Sequence, residues 1–123
     1  MSVHLNDGDY APVEYDSLDE TVFDLVGVGE PVMLYEGDRY YHIFSTAKYT
    51  EVHKSKDEGG WHSLSMYYKD IISIQTNPAM KNTDGKIRPG LTLCFRSGDC
   101  LEITVETWQE AVDIMRFVES HMF

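Results

Sequence analysis

The stretch LSMYYKDIISIQ, residues 64–75, decides how the rest of the chain is to be read. Apolar residues stand at 64, 66, 71, 72 and 74, with the wetter run Tyr67-Tyr68-Lys69-Asp70 between them. A helix is opposed by Ser63, Ser65, Tyr67, Tyr68 and the β-branched pair Ile71-Ile72. A single flat strand alternates its side chains, so Leu64 and Met66 would group with Tyr68, Ile72 and Ile74, leaving Ile71 outside. Two strands meeting at a sharp corner remove the conflict. Leu64 and Met66 then point inward before the corner, and Ile71 or Ile72 and Ile74 point inward after it.

Upstream of the corner, VMLY (32–35), RYYHIFS (39–45) and YTEVHK (49–54) are short runs rich in β-branched and aromatic residues, which predicts a three-stranded meander. WHSLSM (61–66) begins a fourth strand. Downstream, TNPAMKNTDGKIRPG (76–90) reads as a long loop, because Pro, Asn and Gly punctuate it. LTLCF and CLEITV flank Ser97-Gly98-Asp99, a three-residue hairpin loop. This register sets Leu91, Leu93 and Phe95 opposite Val105, Ile103 and Leu101 on a core face, with Thr104 on the other face. Cys94 then lies opposite Glu102 and only diagonal to Cys100, which predicts two free thiols. Thr107-Trp-Gln-Glu110 is a capping box, and Trp108, Ala111, Val112, Met115, Val118 and Met122, widened by Ile114 and Phe117, follow a helical period.

The net charge of −11 is unevenly distributed. Residues 1–30 hold eight acids and no Lys or Arg, whereas the remaining thirteen acids face all ten bases. Two units follow from this: an acidic N-terminal arm, 1–27, and a domain, 28–123. Ser17-Leu-Asp-Glu20 is a second capping box and predicts a short helix over 18–26, stopped by Gly27 and Gly29. Such an arm repels nucleic acid and anionic membranes and favours a basic partner. A solubilising tail, or a helix packed on its own domain, accounts for it equally well. No apolar run is long enough to span a membrane, and the first residues lack the pattern of a signal peptide, so a cytoplasmic protein is expected.

The order of strands, corner, hairpin and capped helix resembles the bacterial PH-like and GRAM group of the PH superfold. The likeness rests on GEPVMLY (29–35), YHIFSTAKYTEV (41–52), SLSMYYKDIISI (63–74), LTLCFRSGDCLEITV (91–105) and the helix from Trp108. It implies a mainly β, α+β fold: a strongly bent antiparallel barrel of about seven strands capped by one C-terminal helix. One departure is that Trp108 stands in the helix's first turn, whereas the Trp typical of eukaryotic PH domains lies deeper.

Sites of chemistry are sparse. Phosphoinositide binding in PH domains uses bases around the first hairpin, but that turn is Glu36-Gly37-Asp38-Arg39, leaving Lys81, Lys86 and Arg88 as a weak anion site on the later loop. His4, His42, His53, His62 and His121 form no metal-ligand pair by spacing; a Thr46-Ala47-Lys48 turn would put His42 and His53 on opposite faces, and a register one residue different would bring them together. No nucleophile or nucleotide motif occurs, so no metal, cofactor or enzymatic activity is expected. The aromatic residues stand out more. Tyr40, Trp61, Tyr67 and Tyr68 in or beside the meander are candidates for an exposed interface, or lie flat over the barrel. With Asp7, Asp9, Tyr10, Glu14, Tyr15, Asp16 and Asp19 of the arm, they form the expected surface for a basic protein partner. A small acidic inhibitor of bacterial or phage origin, blocking a nucleic-acid-processing enzyme, is the alternative. A weak lipid- or ligand-binding barrel ranks below both.

Overall fold

A computed structural model describes residues 2–5, 11–12, 22, 24–27, 29–37, 39–55, 60–81 and 85–122. The elements are β1 Ser2–Leu5, β2 Ala11–Pro12, β3 Pro31–Glu36, β4 Tyr40–Ser45, β5 Lys48–His53, β6 Ser63–Tyr67, β7 Ile71–Lys81, β8 Ile87–Phe95, β9 Cys100–Thr104 and helix α1 Trp108–Ser120. They fall into two compact units, 10–67 and 1–9 with 68–123. The first holds a sheet ordered β2-β3-β4-β5-β6, and the second a sheet ordered β1-β9-β8-β7 together with α1. The seven strands β3–β9 carry the antiparallel architecture of a PH-like fold, mainly β with one C-terminal helix.

The corner lies where the sequence places it. β6 ends at Tyr67, a 3-10 turn occupies Tyr68–Asp70, and β7 begins at Ile71. The Arg96 amide donates to the Asp70 carbonyl at 2.8 Å, tying the corner to the β8–β9 turn. The choice between Ile71 and Ile72 is made by a bulge. Ile71 pairs with Phe95 and Ile74 with Leu93, and the register shifts between Ile71 and Ser73. The extra residue puts Ile71 and Ile74 on the same face and turns Ile72 out, 66% exposed. Leu64 departs from its expected inward position: it is 42% exposed, while Met66 on the same face is buried.

The expected long loop is mostly strand. β7 runs through Pro78 to Lys81, because a second register shift between Asn77 and Met80 accommodates the proline on an end strand. Asn77 Oδ1 accepts from the Ala79 amide at 3.0 Å within that irregularity.

The β8–β9 pairing preserves the predicted faces but slides by two residues. Phe95 and Asp99 close the turn, the Phe95 amide donating to the Asp99 carbonyl, so the loop is Arg96-Ser97-Gly98. Gly98 takes φ 94° at its last position, the left-handed place that ends a three-residue loop. Leu91 and Leu93 now face Ile103 and Leu101, and Cys94 faces Cys100 directly. The two cysteines form a disulfide, which corrects the expectation of free thiols. Thr104 is buried too, so the face opposite Ile103 is covered at that point.

The described parts of segment 1–27 join both units. β1 pairs in parallel with β9, and β2 antiparallel with β3. Val22 and Val26 are buried in one cluster with Leu34, Ile43 and Val52, with Leu25, Tyr41 and Trp61 packed beside them. The capping box at Ser17–Glu20 lies outside the described residues; Val22 and Asp24 are helical, and Gly27 at φ 63° follows the turn at Leu25–Val26. At the other end, Thr107 caps α1: its Oγ accepts from the Glu110 amide at 3.2 Å and donates to the Glu110 carboxylate at 3.1 Å. The helix buries Ala111, Ile114 and Val118, and leaves Trp108 45% exposed.

Two outcomes test this arrangement. Ile71→Ala should cost about 2–5 kcal/mol in urea unfolding and Ile72→Ala under about 0.5 kcal/mol; the reverse order would move the bulge. The air-oxidised chain should show no titratable thiol until reduced, and two afterwards. Replacing both cysteines by serine should cost no more than about 2 kcal/mol, because the closed loop is short.

Candidate interaction surfaces

The β4–β5 turn determines which side chains meet in the first unit. Ser45 closes it: its Oγ donates to the Lys48 carbonyl at 2.9 Å and accepts from the Lys48 amide at 3.2 Å. The loop is therefore the two residues Thr46 and Ala47, with Phe44 opposite Tyr49 and Tyr40 opposite His53. This register differs by one from a Thr46-Ala47-Lys48 turn, so of the two registers the sequence allows it is the one that brings His42 and His53 to a shared face.

That face carries a series of rings. Tyr35 meets Phe44 edge-on at 6.2 Å, and Phe44 meets Tyr49 at 5.2 Å. Tyr49 hydrogen-bonds His42 Nδ1 at 2.7 Å, both residues being buried. Tyr40 stands edge-on to His53 at 4.9 Å. Along β4 and β5 the face passes from wholly buried rings at Phe44 and Tyr49 to partly exposed ones at Tyr40 and His53.

At its open end is a groove of about 200 Å³ lined by Tyr40, Glu51, His53, His62, Ser63 and Leu64. The His53 amide donates to the His62 carbonyl at 2.9 Å, which sets the two imidazoles across from each other on adjacent chain segments. His53 Nδ1 accepts from the Ser55 amide at 3.3 Å, so the neutral ring carries its proton on Nε2, pointed away from that bond. Among the described residues no group of three or more His, Cys, Asp or Glu is placed to hold a metal ion. The groove offers aromatic faces, imidazole donors and a carboxylate, together with the exposed Leu64. The ring face of Tyr40, the Glu51 carboxylate and Leu64 suit a mixed apolar and cationic surface, and the imidazoles can donate to its carbonyl groups.

The sequence candidates divide into five cases. Tyr40 lines this groove. Trp61 packs against the Val22–Val52 cluster on the opposite face, and Tyr67 lies under the Lys48 ammonium at 5.2 Å. Tyr68 is fully buried, against Phe117 at 6.2 Å, and burial pushes the pKa of its phenol up. Its place on an exposed surface is therefore corrected: the corner turns this ring inward. Asp7, Asp9, Tyr10, Glu14, Tyr15, Asp16 and Asp19 lie outside the described residues. His62 and Leu64 were missed as site residues. The β5–β6 pairing that brings them beside Tyr40 depends on a loop whose length no local signal gives. On the other unit, Arg88 lies 3.8 Å from Glu106, which weakens the anion site expected with Lys81 and Lys86.

No family model matches the chain, and no curated protein does. Among solved structures, a DUF1696 family protein with a pleckstrin-homology domain from Shewanella loihica PV-4 is similar, with a TM-score of 0.70 at 18% identity. The likeness covers 94% of this chain and 99% of that one. At that identity it shows the fold, and the fold is PH-like. No helix among the described residues is long and apolar enough to cross a membrane.

The buried Tyr49–His42 bond should be measurable. Tyr49→Phe should lower stability by about 1 kcal/mol. In a double-mutant cycle with His42→Leu the two losses should be non-additive by a similar amount; additivity would mean the hydroxyl and the imidazole do not depend on each other.

Proposed function

We propose that the chain is a non-enzymatic interaction module whose partner is a basic protein. The observation that carries this reading is the groove beside Tyr40, where rings, the Glu51 carboxylate and the exposed Leu64 share one surface of a PH-like fold. Tyr-rich, partly apolar surfaces with a few fixed polar groups are what protein interfaces use at their centres. In this reading the acids of segment 1–27 supply long-range attraction, and the domain 28–123 supplies the contact surface. The proposed compartment is the cytosol. Fold likeness alone assigns no role, so the surface chemistry has to carry the proposal.

The test is affinity capture on the full chain, followed by binding measurements with the recovered partner across salt concentrations. The partner should be basic. Charge-neutral replacement of Asp7, Asp9, Glu14, Asp16 and Asp19 should slow association and flatten its salt dependence. Tyr40→Ala and Leu64→Ala should each speed dissociation at least tenfold while the melting temperature changes little. An acidic partner, or one indifferent to both sets of substitutions, would refute the reading.

A further inference from the structure

Among the described residues β7 is an end strand of its sheet, paired with β8 on one side. End strands invite pairing by another chain, and proteins blunt them with charge, proline or bulges. Here those devices stand at the two ends. One register shift lies between Ile71 and Ser73, another with Pro78 between Asn77 and Met80, and Lys81 closes the strand. Between them, 73–77 has neither charge nor proline and stays in register with β8. Ser73, Gln75 and Asn77 in that window are exposed.

Beside this edge runs a groove of about 450 Å³ lined by Ile72, Ser73, Ile74, Met115, Glu119 and Met122. Met115 and Glu119 stand one turn apart on α1, and Met122 follows just beyond the helix's C-terminal end, so the three line the wall of the groove opposite the strand residues. Ile72, ejected by the bulge, is the most exposed apolar residue of this wall. The two methionines are flexible and can refit around varied apolar groups. Glu119 is the charged side chain among those lining the groove.

We propose that this edge and groove take an extended peptide that adds a strand to β7, its apolar side chains in the groove and a Lys or Arg against Glu119. Main-chain bonds to a strand edge supply affinity, and alternate side chains supply selection. Two side chains on one face of an added strand are two positions apart, so the favoured peptide alternates apolar and basic groups on its groove-facing positions. A second copy of this chain fits less well. Each copy carries a net charge of −11, and a second β7 has no base between Ile71 and Met80 to meet Glu119. The site shares no residue with the Tyr40 groove and stands whether or not that surface binds a protein.

The test is selection of a random decapeptide display library on the immobilised full chain. Enriched peptides should place apolar residues and Lys or Arg at a spacing of two. Their affinity should fall at least tenfold with Ile72→Asp and with Glu119→Lys, and stay within twofold with Tyr40→Ala and His62→Ala. Bound peptide should shift the backbone amide signals of 73–77. Both groove variants alter exposed side chains, and circular dichroism should show them folded. The proposal is overturned if no peptide is enriched, or if the enriched ones ignore both groove substitutions. It is also overturned if the chain forms a dimer that Ile72→Asp dissolves, because the occupant is then a second copy. Peptides lost only with Tyr40→Ala or His62→Ala would overturn this site while supporting the surface proposed above.

Discussion

Ile71 and Ile74 are three positions apart, and an unbroken pleat would send them to opposite faces of the sheet. Their partners Phe95 and Leu93 are two apart on β8 and share a face, so one extra residue must enter β7 between them. Most of the second unit's local structure follows from that constraint. Ile72 is expelled, the strand bends where it leaves the 3-10 turn, and the Arg96–Asp70 main-chain bond holds the bend against the β8–β9 loop. Without the bulge either Ile71 or Ile74 would lose its buried place, and the end of β7 nearest the corner would present a different edge.

The corner and the capped helix were legible in the sequence because each rests on a local conflict or motif. The parity problem at 64–74 has few solutions, and Thr107 with Glu110 reads directly as a helix start. Hairpin registers were less legible. The β4–β5 loop is one residue shorter than Thr46-Ala47-Lys48, and the β8–β9 loop begins one position earlier than Ser97-Gly98-Asp99. Ser45 closes the β4–β5 turn with its hydroxyl, a device that composition does not announce. Gly98 ends its loop instead of centring it, and that step slides β9 by two residues and brings Cys94 against Cys100. Pro78 and the asparagines around it suggested a loop, whereas an end strand with a bulge accepts them. β1 and β2, four and two residues long, are too short to be seen by periodicity; pairing with β9 and β3 makes them strands.

The candidate surface depended on those same registers. Tyr40 was legible as an aromatic on the meander, but its neighbours His53, His62 and Leu64 were not, because a one-residue slip reverses every side chain of a strand. Tyr68 shows the converse. Its residue type suggested an interface, and its position in the corner made it core. Composition therefore identified the kinds of residue a surface could use, and topology selected which of them reach solvent together.

The uncharged middle of β7 raises a problem that the charge distribution helps to solve. A regular strand edge beside an exposed isoleucine is an invitation to self-association, which many proteins block by placing a lysine or a proline in the middle of the edge. Here the local guards are confined to the two ends, and the centre, 73–77, carries none of them. Any approach of a second copy has to overcome the mutual repulsion of two chains at −11, most of it carried by residues 1–30. Repulsion of this kind acts at long range and falls on every like-charged copy, whereas a lysine on the strand would obstruct any partner at contact. A global negative charge can thus protect an edge against the chain's own copies while leaving it open to a short basic segment, so the acidic N-terminal region and the bare strand edge can be understood as parts of one arrangement.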